Sequence, residues 1–226
     1  SLGYIVFYMH RRSRSSSQAR SSLHLSRIER LNVVITGGSR GIGYALAREF
    51  CSHGHCVIIC GRDEQRLYAA VDSIRRELAT SSTTSTTSSS SQQAPLIHGT
   101  VCDISSETSL QLFASFVQKT IVGQGDGSVH VWINNAGVST PVNRPLHELS
   151  VDQIEQVVSV NMLGTILSTR TAIKLLLNQP SGSGGHLFNM EGAGSRGSAT
   201  PNMSVYGCTK AGITQFTLSV RQELSQ

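Results

Sequence analysis

The chain has 226 residues, 38% hydrophobic and 15% charged, which suits one packed domain. Its formal charge of +5 is carried by the first thirty residues, where Arg11, Arg12, Arg14, Arg20, Arg27 and Arg30 oppose only Glu29, while the remainder holds 13 basic and 13 acidic residues. A neutral body with no basic, aromatic-interleaved face excludes a nucleic-acid binder.

Along the chain, the apolar run from Leu2 to Tyr8 is far shorter than the roughly 20 residues of a membrane span, and no later segment qualifies. Residues 10–30, rich in Arg and Ser and nearly free of acids, have the composition of an organellar transit peptide, so residues 1–30 are expected to be a disordered leader outside the fold. The alternative is an upstream stretch translated by a faulty gene model, since the first residue is Ser1 rather than Met.

From Asn32 strand and helix patterns alternate. The run Val33-Val34-Ile35 leads into a Gly-rich turn, a helical stretch reaches His53, and a second apolar run covers Cys56-Val57-Ile58-Ile59-Cys60, together a βαβ unit. A helix is expected from residue 63 to about 78, a strand near Leu96-Ile97, a helix near 110–121 and a strand over 129–133. One long helix near 151–177, a strand over 186–189 and a helix from Ser204 follow. Such alternation predicts a parallel sheet covered on both faces, a Rossmann-like doubly wound three-layer α/β/α domain over residues 31–226. Residues 80–94 are almost wholly Ser, Thr and Gln, too polar to offset the entropy of ordering, and are expected to be a disordered loop insertion. The five cysteines, Cys51, Cys56, Cys60, Cys102 and Cys208, form neither a CxxC pair nor a metal-ligand spacing, and the histidines show no paired spacing, so no metal is expected.

Thr36-Gly37-Gly38-Ser39-Arg40-Gly41-Ile42-Gly43 lies between a strand and a helix, where a pyrophosphate site belongs. Gly37 suits a tight turn, Gly41 a close approach of backbone to phosphate, and Gly43 close packing of helix on strand. The second strand ends in Cys60-Gly61-Arg62, where NAD-binding folds place an acid for the ribose 2′-hydroxyl. With Arg62 there and Arg40 in the glycine loop, a guanidinium clamp for the 2′-phosphate of NADPH is expected, although Asp63 stands one residue on. Tyr206 and Lys210, four apart on a helix, share a face. A free phenol ionises near pH ~10, and an adjacent ammonium brings it toward the working range of a general acid.

These features, with Asn134-Asn135-Ala136-Gly137 after the fourth strand and Tyr206-Gly207-Cys208-Thr209-Lys210, resemble the short-chain dehydrogenase/reductase family from Asn32 to the C-terminus. The resemblance implies that Asp103 contacts the adenine, that Asn135, Ala136 and Gly137 line the cofactor cleft, and that Asn161 supports a proton-relay water. It also implies that Tyr206 protonates the carbonyl oxygen and Lys210 binds the nicotinamide ribose. Asp103 as a helix cap and Asn161 as a satisfied helix polar group are the structural alternatives. The family places a serine thirteen residues before the tyrosine; here that position is Ala193, and Ser195 or the N–H groups of Gly192 to Gly194 are the candidates to replace it.

The segment Phe188-Asn189-Met190-Glu191-Gly192-Ala193-Gly194-Ser195 is similar to the plant and algal chlorophyll(ide) b reductases. That likeness implies NADPH-dependent reduction of a 7-formyl group, a chloroplast setting, peripheral association with thylakoids, and a homo- or hetero-oligomer in the full-length protein. The loops at 140–149 and 192–203 would then flank an open mouth for a planar macrocycle. Reduction of another carbonyl, of the sterol or 3-oxoacyl type, and a non-catalytic nucleotide-binding scaffold are the competing readings. The family continues through further strands beyond the Tyr206 helix, so the last strand here is expected to show an uncovered edge.

Overall fold

The computed structural model describes residues 6–10, 30–82, 96–124, 126–140, 144–179 and 185–225. In chain order these form β1 (Val6–His10), β2 (Asn32–Thr36), α1 (Gly41–Ser52), β3 (Cys56–Gly61), α2 (Glu64–Ser82), β4 (Ile97–Val101), α3 (Glu107–Ile121), β5 (Val131–Asn134), α4 (Val151–Val158), α5 (Thr165–Leu177), β6 (His186–Met190) and α6 (Ser204–Glu223). The strands lie side by side as β1-β6-β5-β2-β3-β4, all parallel except β1. The chain winds one way through β2, β3 and β4 and the other way through β5 and β6, which opens a crevice at the carboxyl ends of β2 and β5.

The expected doubly wound α/β fold is what the sequence forms, because its strands are apolar on both faces. Along β2 and β3, successive side chains alternate between two cores. Val33, Ile35, Val57 and Ile59 pack with Ala47 and Cys51 of α1 and Leu67, Val71 and Ile74 of α2. Val34 and Ile58 face the other way, with Trp132, Leu187 and Leu110, Phe113 and Val117 of α3. Phe113 meets the buried Trp132 edge-on at 5.6 Å, and burial of each such side chain is worth roughly 1.5–3 kcal/mol.

Two boundaries and one break depart from the expectations. Val6–His10 is not outside the fold: it pairs antiparallel with β6, Val6 opposite Met190 and His10 opposite His186, so the edge expected to be uncovered is covered. The unpaired N–H and C=O groups of a sheet edge accept any extended segment, and Val-Phe-Tyr has the β-branched and aromatic character strands favour. The rest of the transit-like leader, residues 1–5 and 11–29, lies outside the described residues. Helix α2 runs on to Ser82, so the first three residues of the Ser/Thr-rich tract continue a helix, and residues 83–95 lie outside the described residues. The long helix expected near 151–177 is interrupted by a π-helical segment, Ser159–Gly164, between α4 and α5. Asn161 lies in that segment, and such π-bulges concentrate at functional sites.

Candidate active site

The crevice is a cleft of about 830 Å³ lined from one end by the glycine loop and Arg40, in the middle by Asn135 to Val138, and at the other end by Met190, Glu191, Tyr206 and Lys210. Every motif singled out from the sequence reaches it or its wall.

The loop between β2 and α1 turns through left-handed backbone at Gly37 (φ +67°) and Gly41 (φ +55°), conformations that L side chains rarely adopt. A Cβ at Gly37 would lie 2.7 Å from the Cα of Ala136, so the β5 loop closes directly onto the turn. Arg40 occupies the N-cap of α1 without a side-chain cap, and the first turn, whose Gly41 and Ile42 line the cleft, holds no acid, so no capping side chain claims the N–H groups of this terminus. Thr36 fastens the loop from below: its hydroxyl accepts the backbone N–H of Asn135 and of Ala136, both at 3.1 Å.

Arg40, Arg62 and Arg66 line the cleft beside the end of β3. Asp63, the acid that competes for a ribose contact, is already engaged: its Oδ1 accepts the backbone N–H of Arg66 at 3.0 Å and its Oδ2 lies 3.4 Å from the Arg66 guanidinium. Among the described residues Arg40 and Arg62 form no salt bridge and are exposed. A bare helix N-terminus with a guanidinium cluster next to it fits a dinucleotide that carries a further phosphate.

Asp103 follows β4 at the same end, and its Oδ1 accepts from the N–H and hydroxyl of Ser105 at 2.9 and 2.7 Å. It does not cap the next helix; Ser106 does, accepting the Ser109 N–H at 3.3 Å. Asp103 lines the cleft.

At the far end, the Lys210 ammonium is 5.8 Å from the centroid of the Tyr206 ring and donates to the Met190 carbonyl at 2.9 Å. Lys210 is 6% exposed, and this burial lowers its pKa to about 8, with the Glu191 carboxylate pulling the other way. Gly192 leaves room for the Tyr206 hydroxyl, which a Cβ at that position would strike. Asn161 is fully buried; its amide donates to the Val138 carbonyl and its Oδ1 accepts the Val138 N–H, both at 2.8 Å, so it is a satisfied group of the cleft wall. It also reaches Thr209 Oγ1, between Tyr206 and Lys210, at 3.3 Å. The Ser195 Oγ accepts the Gly192 N–H at 2.9 Å, which occupies one of the N–H groups considered for an oxyanion.

Sequence reasoning did not single out Arg66 or Glu191. The first is one turn into α2 and carries no motif; the second had a signal, an acid directly after an apolar strand and before glycines. It also missed the buried network behind the site, in which Asn134 Nδ2 donates to Asn189 Oδ1 at 2.8 Å and to Thr169 Oγ1 at 3.0 Å, while Asn189 reaches Thr217 on α6 at 2.9 Å. Among the described residues no group of His, Cys, Asp and Glu is placed to hold a metal, and no helix is long and apolar enough to cross a membrane.

Residues 31–226 match the family described as short chain dehydrogenase. The chain belongs to that family. Its members are nicotinamide-dependent oxidoreductases, which accounts for a cleft combining a phosphate cradle with a Tyr/Lys pair. In Arabidopsis thaliana, the protein named "Probable chlorophyll(ide) b reductase NYC1, chloroplastic" is 40% identical over 85% of this chain and 37% of its own length. "Chlorophyll(ide) b reductase NOL, chloroplastic" from the same plant is 36% identical over 85% of this chain and 49% of its own length. The chain thus spans less than half the length of these relatives. A crystal structure of a metagenomic short-chain oxidoreductase in complex with NADP superposes with a TM-score of 0.66 at 25% identity, over 86% of this chain and 76% of that one.

Proposed function

We propose that this short chain dehydrogenase is an NADPH-dependent carbonyl reductase that converts the 7-formyl group of chlorophyll(ide) b to a hydroxymethyl group in the chloroplast. The observation that carries the reductase reading is the placement of Tyr206 and the buried Lys210 at the opposite end of one cleft from the glycine loop and its arginines. The plant relatives named chlorophyll(ide) b reductases support the substrate and the compartment.

In this reading the α1 N-terminus and glycine loop hold the pyrophosphate, Arg40 and Arg62 hold the 2′-phosphate, and Asp103 meets the adenine. Ala136 and Gly137 form the middle of the cleft, and Asn135 holds the glycine loop in register with them. Bound in its reduced form, the nicotinamide supplies the hydride. Tyr206 delivers the proton to the carbonyl oxygen, and the Lys210 ammonium favours the phenolate left behind. Asn161 holds the wall at Val138 and Thr209, and Ser195 fixes the Gly192 turn under the tyrosine hydroxyl.

The test is NADPH oxidation with chlorophyllide b, wild type beside Tyr206→Phe. Turnover that the substitution reduces by at least ~10²-fold, the usual scale of a general acid, supports the assignment. Oxidation of NADPH only with a sterol or 3-oxoacyl ketone moves the substrate elsewhere, and NADPH binding without oxidation of any carbonyl tested makes the chain a nucleotide-binding scaffold.

A further inference from the structure

Three consecutive residues at the end of β6 are bound up with the Tyr206/Lys210 pair. Met190 offers its carbonyl to the Lys210 ammonium, Gly192 makes room for the Tyr206 hydroxyl, and between them stands Glu191. Glu191 is only 5% exposed, yet it lines the cleft. A buried carboxylate persists where cations and hydrogen-bond donors compensate its lost hydration. Here the donor is Thr214, one turn beyond Lys210 on α6, whose hydroxyl lies 3.2 Å from Glu191 Oε1 and 3.1 Å from the Lys210 carbonyl. The cations are Lys210, whose protonation Glu191 favours, and Arg196, whose Nε is 3.9 Å from Oε2 on a side chain 64% exposed. An exposed guanidinium at that distance contributes little, which leaves Thr214 as the direct partner of the carboxylate, one turn from Lys210 on the same helix.

We propose that Glu191 is a positioning residue of this site, whose buried carboxylate fixes the charge and place of the Lys210 ammonium against Tyr206. The inference rests on the reading of Tyr206 and Lys210 as the proton-transfer pair, but its first test does not depend on turnover. The titratable groups that line this end of the cleft with Lys210 are Tyr206 on its own helix and Glu191 after β6; the other charged residues of the cleft, Arg40, Arg62, Asp63, Arg66 and Asp103, follow β2, β3 and β4 at the far end.

The chain has three lysines, Lys119, Lys174 and Lys210, and the first two are exposed. Competitive acetylation across a pH series, read by mass spectrometry, therefore titrates Lys210 with two internal references. The wild-type midpoint is expected at about 8. In Glu191→Gln it falls by about one pH unit, because a nearby opposite charge has been removed. Glu191→Asp restores most of the loss, and Thr214→Val, which keeps the carboxylate but loosens it, gives a smaller fall and guards against a Gln variant that does not fold. In the active enzyme the alkaline limb of kcat/KM moves with the Lys210 midpoint. Folded variants that acetylate Lys210 with the wild-type midpoint overturn the proposal, whereas a shifted midpoint in a protein that reduces no carbonyl leaves it standing and sinks only the reductase reading.

Discussion

The side-chain amide of Asn135 donates to the carbonyls of Thr36 and Gly37, at 3.1 and 3.0 Å, and so joins the end of β5 to the glycine loop that follows β2. Two strands neighbouring in the sheet but about a hundred residues apart are thereby held in register at the point where the cofactor cleft opens. The loop proposed to bind phosphate is braced by these bonds, which limits the ordering cost of binding.

Asn135→Ala removes both bonds and leaves two carbonyls without that donor. The expected cost is about 1–3 kcal/mol of folding stability, with NADPH affinity falling by roughly tenfold or more. Urea denaturation and titration of NADPH fluorescence measure the two effects separately.

The arginine cluster predicts cofactor preference. Arg62→Ala, alone and combined with Arg40→Ala, is expected to raise the Kd for NADPH by roughly 10–100-fold, the value of lost charged hydrogen bonds, while the Kd for NADH stays within about twofold. Equal losses for the two cofactors would show that these guanidinium groups hold the pyrophosphate rather than the 2′-phosphate.

Gly192→Ala places a methyl group against the Tyr206 hydroxyl. The ring must move, and a displacement of about 1 Å at a reacting group costs on the order of 10²-fold in rate. Single-turnover NADPH oxidation is expected to fall by at least ~10-fold, with the Kd for NADPH within about twofold of wild type.

Burial sets the pH dependence. The Lys210 pKa is lowered from 10.5 to about 8, and the mechanism needs its ammonium, so kcat/KM is expected to hold below pH 8 and to decline as pH rises through about 8. Stability has the opposite sign. The folded pKa lies below the unfolded one, so between about pH 8 and 10.5 the unfolded chain binds more protons and the contribution of this group to stability rises with pH. Lys210→Met removes this titration, so the rise in stability between about pH 8 and 10.5, up to ~3 kcal/mol in the wild type, is expected to disappear in the variant together with turnover. Urea titrations at pH 7 and pH 10.5 check both ends.

Local pattern alone determined the order of strands and helices from Asn32 onward, the glycine turn and the Tyr206/Lys210 face. Each follows from short-range rules: apolar runs, left-handed turns that only glycine accepts readily, and residues four apart on one helix face. Tertiary structure decided what those rules cannot express. Asp63 is taken up by Arg66 while Arg62 forms no salt bridge among the described residues, Ser195 accepts the Gly192 N–H, and Asn161 is satisfied by the Val138 peptide. Glu191 met Thr214, one turn beyond Lys210, only when β6 was laid beside α6, and Val6–His10 became a strand only because β6 offered an edge. Contacts between residues far apart in sequence depend on which surfaces the fold brings together, and a side chain's role is set by the partner that reaches it first.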